Sequence, residues 1–89
     1  MKSIVVDRAR VAYAEGPDVL YVSFGPYDLT CLDHEEELDG GVFLQYAWPS
    51  GDLAGMEVWG FSKRYGSLPV TFDLGNLVVH VPEPSMTLA

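Results

Sequence analysis

The chain has a single cysteine, Cys31, in 89 residues. No disulfide can form within it, which excludes a stapled, secreted scaffold. Basic side chains are scarce. Five Lys and Arg stand against thirteen Asp and Glu, for a formal charge of -8. Such a field repels phosphate backbones and anionic headgroups, so neither nucleic acid nor membrane is an expected partner. A basic protein partner is electrostatically allowed, although an acidic surface also serves solubility alone. No run approaches the roughly 18 apolar residues of a membrane-spanning helix. Residues 1–7 lack the long apolar core of a signal peptide, so a cytoplasmic location is expected. No stretch keeps a helical period over the roughly 10 residues of a globular helix. Internal repeats and low-complexity segments are also missing.

What remains is a globular composition, 48% hydrophobic and 12% aromatic, well outside the range of disordered chains. The length suits one small β-rich domain over residues 1–82, with a frayed tail over 83–89. Nine glycines and six prolines cut the sequence into short apolar runs, the signature of strands. Residues 3–6 form a β-branched run. Residues 8–14 and 19–24 flank the turn Glu15-Gly16-Pro17-Asp18 and read as a hairpin. Leu20, Val22 and Phe24 share one face of its second strand, while Val19, Tyr21 and Ser23 share the other.

Residues 27–32 are ambiguous. The acidic run 33–39 reads as a solvated edge strand, a turn of helix or a loop. Residues 42–48 and 53–59, joined by Pro49-Ser50-Gly51-Asp52, read as a second hairpin, with Glu57 on the face opposite Ala54, Met56 and Val58. A short helical turn is expected near 61–66, with Gly66 at its end. Residues 68–73 suit an edge strand because of Pro69, and 77–81 read as a last strand. The predicted fold is mostly β: an antiparallel meander of two hairpins plus one or two C-terminal strands.

Two segments resemble a small bacterial family described as domain of unknown function 2283. The first is Tyr13-Ala14-Glu15-Gly16-Pro17-Asp18-Val19-Leu20-Tyr21-Val22. The second is Gly55-Met56-Glu57-Val58, followed by Phe61-Ser62-Lys63-Arg64. The resemblance spans about residues 10–66 and implies a β-rich fold with two hairpins, and no activity. Some members sit beside small toxin-like proteins, which implies an antitoxin-like role. Gly16-Pro17 and Ala47-Trp48-Pro49 depart from the family pattern.

Candidate chemistry is sparse. His34 among Glu35, Glu36 and Glu37 has the ligand types for a metal, but consecutive residues of a strand point alternately away from each other. Cys31 with His34 lacks a third group to orient the imidazole. No catalytic residue, metal or cofactor is therefore expected. Glu57 stands out, because a buried carboxylate needs a partner or a raised pKa. Asp18, Tyr21, Tyr46 and Glu57 form a candidate polar pocket, against the plainer reading that Glu57 faces water. Tyr21, Trp48 and Trp59 are candidate interface residues, against the plainer reading that they belong to the core. The expected function is a non-catalytic interaction domain, antitoxin-like or regulatory, that self-associates as a homodimer. The alternative is a small-molecule binder or small enzyme with a sheet-face pocket around Glu57.

Overall fold

The computed structural model describes residues 2–25 and 32–83. The first strand, β1 (Lys2–Val5), is followed by a 3-10 turn, Arg8–Arg10. Asp7 caps that turn, its Oδ1 accepting from the Ala9 amide at 2.9 Å. The strand expected from residue 8 therefore begins only at β2 (Val11–Ala14). β2 turns into β3 (Val19–Ser23), and the hairpin pairs Val11 with Val22 and Tyr13 with Leu20. The acidic run resolves into β4 (Leu32–Leu38). β5 (Val42–Ala47) and β6 (Leu53–Trp59) form the second hairpin. A short helix, α1 (Phe61–Tyr65), follows, and the Gly66 amide donates to the Ser62 carbonyl at 3.1 Å. β7 (Val70–Asp73) and β8 (Leu77–Val81) complete the chain order. Segment 27–31, with Cys31, and the tail beyond Glu83 lie outside the described residues.

Two sheets result. The larger has the order β2-β3-β6-β5-β4, all antiparallel, and the smaller has the order β1-β8-β7. The mostly β fold, both hairpins and the helical turn stand as the sequence predicts. Two pairings depart from the expected antiparallel meander: β3 lies beside β6 rather than beside β4, and the second is not antiparallel. β1 lies parallel to β8, with Ile4 opposite Val79, a contact between segments some seventy residues apart that no local turn signal encodes. β4 and β7 are edge strands. The charges of β4 and Pro69 just ahead of β7 suit such positions, where one side of the backbone faces water.

Strand alternation puts Leu20, Val58 and Val42 in one cross-strand row, and Val22, Met56 and Leu44 in the next. These six pack against Val79, Val81, Leu77 and Phe72 of the smaller sheet, with Phe61 of α1 joining them. The core thus sits between one face of each sheet. Burial of side chains of this size stabilises by about 1.5–3 kcal/mol each relative to exposure. Period-2 packing also fixes what faces outward: Tyr21, Glu57 and Phe43 necessarily point away from the core.

Candidate functional site

The outer face of the five-stranded sheet carries an unusual set of side chains. Tyr21, Glu57 and Phe43 are direct cross-strand neighbours, and Glu37 follows Phe43 in the same row. The next row runs Ser23, Gly55, Gln45, Glu35. Trp59, two residues beyond Glu57, shares the face. Its indole Nε1 donates to Glu57 Oε2 at 3.4 Å, and its ring lies 5.7 Å from that of Phe43. Tyr21 is 41% exposed and Trp59 54%. Three aromatic rings therefore surround a half-buried carboxylate on a face the smaller sheet does not cover.

Beside Glu57 the face dips into a groove of about 390 Å³, lined by Arg10, Tyr21, Ser23, Gln45 and Glu57 among others. Arg10 occupies the β2 end, where its Nη1 donates to the Gly25 carbonyl at 2.9 Å.

The four residues of the expected polar pocket separate. Tyr21 and Glu57 meet as cross-strand partners. Tyr46 stands on the other face, stacked on His34 at 4.4 Å between ring centroids. Burial there, with a smaller contribution from the Glu36 charge, pushes its phenol pKa up. Asp18 sits in the β2–β3 turn with φ of 57° and works as a clasp. Its Oδ1 accepts from Tyr13 Oη at 2.5 Å and from the Ser62 amide at 3.0 Å, and its Oδ2 accepts from Ser62 Oγ at 3.0 Å. The Tyr13 bond and then the Ser62 amide hold the Asp18 carboxyl below its usual pKa, and the same Tyr13 bond raises the phenol. The structure thus uses Asp18 to fasten the first hairpin to α1.

The candidate interface residues divide in the same way. Tyr21 and Trp59 share the outer face, whereas Trp48, 65% exposed, sits in the β5–β6 turn beyond the opposite end of β6. His34 bonds Asp33 Oδ2 at 3.1 Å on the exposed edge strand. Among the described residues no three His, Cys, Asp or Glu side chains converge as metal ligands do. Also among the described residues, no helix is long and apolar enough to cross a membrane.

Two features escaped the sequence reading. Gln45 is almost fully buried, 8% exposed, and a polar residue in the middle of the apolar run Val42–Ala47 was the available signal. The second feature lies on the outer face of the smaller sheet. His80 Nε2 meets Ser3 Oγ at 3.1 Å and His80 Nδ1 meets Thr71 Oγ1 at 3.0 Å, across three strands. Nothing local could have joined Ser3 to His80, because their proximity depends on the parallel β1–β8 pairing. The line resembles a nucleophile–base–orienter set, but a neutral hydroxyl in place of a carboxylate gives an imidazolium no charge stabilisation. It is best read as a cross-strand tie. No family model matches the chain, and no curated protein or solved structure does either.

Proposed function

We propose that this protein is a non-catalytic interaction domain that docks a basic protein partner on the outer face of its five-stranded sheet. The observation that carries the reading is the ring of Tyr21, Phe43 and Trp59 around Glu57 on the face that the smaller sheet does not cover. Aromatic side chains offer large contact areas with few rotatable bonds, which is why they dominate binding hot spots. Glu35 and Glu37 on the same face, within a chain of net charge -8, favour a cationic partner and speed its approach. A basic toxin-like protein is one such partner. That form accords with the resemblance over residues 10–66, and a cytoplasmic location belongs to the same reading.

The test compares retention of partners by the wild-type chain, by the double variant Tyr21→Ala/Trp59→Ala and by Trp48→Ala. Circular dichroism confirms that each is folded. A basic protein held by wild type and Trp48→Ala but lost by the double variant supports the reading. Equal retention by all three, or retention only of acidic and neutral proteins, overturns it.

A second reading, self-association as a homodimer, draws support from β1. This strand pairs only with β8 among the described residues. The amides of Lys2 and Val6 bond towards β8, so those of Ser3 and Val5 point to the free edge, beside a Val5 side chain that is 78% exposed. An unprotected edge of this kind invites a second strand.

A further inference from the structure

We infer that the groove beside Glu57 is a seat for the guanidinium of an arginine side chain. The inference rests on the docking reading above and names the chemistry the partner presents.

Gln45 supplies the first reason. It is more than nine-tenths buried, yet its carboxamide makes no hydrogen bond among the described residues. None of its polar atoms is sealed from solvent, and the residue lines the groove. Its amide therefore opens into that groove. Because its polar atoms reach the groove, a bound donor can hydrogen-bond them there.

Glu57 supplies the second. A carboxylate has about four acceptor sites, and the long bond from Trp59 Nε1 engages one of them. The register places Gln45 opposite Gly55 and Glu57 two residues further along the same strand face. Glu57 and Gln45 thus present two acceptor groups to the same groove. A flat cation with several N–H groups fits there, with two N–H donors on the carboxylate and a third on Gln45 Oε1.

That geometry separates arginine from lysine. An ammonium is a compact point charge that satisfies Glu57 alone, whereas the guanidinium fork reaches both acceptors at once. Tyr21 and Phe43, on either side of Glu57, add aromatic surface for a planar cation. Arg10 repels a cation from the far end of the groove, where Gly25 holds it, and so confines the ligand to the Glu57 end.

The experiment uses the full chain with Trp48→Phe, which leaves Trp59, hydrogen-bonded to Glu57, as the only tryptophan. Emission from Trp59 is followed during titration with N-acetyl-arginine amide, N-acetyl-lysine amide and N-acetyl-citrulline amide at constant ionic strength. The expected result is saturable binding of the arginine probe at about millimolar strength, as suits so small a ligand. It should bind about tenfold tighter than lysine, the worth of one hydrogen bond, and the neutral citrulline probe should not bind. Gln45→Leu, of nearly equal size, should remove the preference for arginine and leave lysine unchanged.

Equal binding of arginine and lysine in both chains overturns the seat, and so does the absence of any response. Neither outcome touches the docking reading, which stands or falls separately on the retention of a basic protein by Tyr21 and Trp59.

Discussion

Asp18 shows how one carboxylate fixes local architecture. It stands in a left-handed turn position, which Asp and Asn tolerate better than most residues. Its two oxygens gather Tyr13 from β2 and Ser62 from α1. Because these bonds hold its pKa below the usual 3.8, its stabilising contribution is complete above that value. It is lost as pH falls through the depressed folded-state pKa. Asp18→Asn keeps the turn conformation and one acceptor oxygen but removes the charge. The variant should melt several degrees below wild type at pH 7, and the gap should close as melts are repeated towards pH 3. A gap independent of pH would mean that charge is not what Asp18 contributes. The sequence made Asp18 stand out but not its task, because one of its two partners, Ser62, lies in a helix more than forty residues away. Glu57 was legible through alternation alone. Alternation set it opposite Met56 and Val58, but alternation also puts Leu53 on the side of Glu57, whereas Leu53, beyond the register shift between Gln45 and Tyr46, packs against the core.

At the scale of elements, turn chemistry was the reliable guide. The β5–β6 hairpin follows from Pro49-Ser50-Gly51-Asp52 between two alternating runs. The β4–β5 connection follows from Gly40-Gly41, both at positive φ. Gly41 is tightly constrained. Its carbonyl accepts from the Trp59 amide at 2.9 Å, and a Cβ there would stand 2.6 Å from the Trp59 carbonyl oxygen. Gly41→Ala should therefore destabilise by at least about 1–3 kcal/mol, the usual cost of a strained backbone, readable as a lower urea midpoint. It should also disturb Trp59 emission, because the clash falls on the residue beside Glu57. An unchanged midpoint would show that the turn has room to relax. The acidic strand β4 could not be assigned from its sequence, because Asp33-His34-Glu35-Glu36-Glu37 has no hydrophobic alternation to declare a period. Its charges make sense only in place, as an edge that repels another copy of itself.

For the molecule as a whole, the two proposed associations should answer to salt in opposite ways. A basic partner on the acidic face is drawn by charge, and screening shortens the reach of that attraction to about 8 Å at physiological ionic strength. A homodimer joined at β1 brings together two chains that each carry -8, so screening should help it. Light scattering behind size exclusion should show the mass moving from 9.8 kDa towards twice that value as salt and protein concentration rise. Val5→Lys should hold it at the monomer. A mass that stays monomeric in wild type at every salt concentration would remove the dimer and leave the outer face as the site of association. Composition foretold the charge but not its distribution, since only the register puts Glu35, Glu37 and Glu57 on one surface.

The parallel pairing of β1 with β8 also sets an order in time. Each hairpin can close as soon as its own turn forms, because its strands are a few residues apart. β1 has no such neighbour, since Lys2 waits for Leu77 and Val5 for His80. Closing so long a loop costs entropy before any contact repays it, which slows folding. The opening strand of the chain is thus among the last to find its place, and until then its free edge and Val5 remain open to other strands. Thr71 and His80 meet when the β7–β8 hairpin closes, and Ser3 joins them only at that final docking, so the His80–Ser3 hydrogen bond reports that the molecule has finished folding.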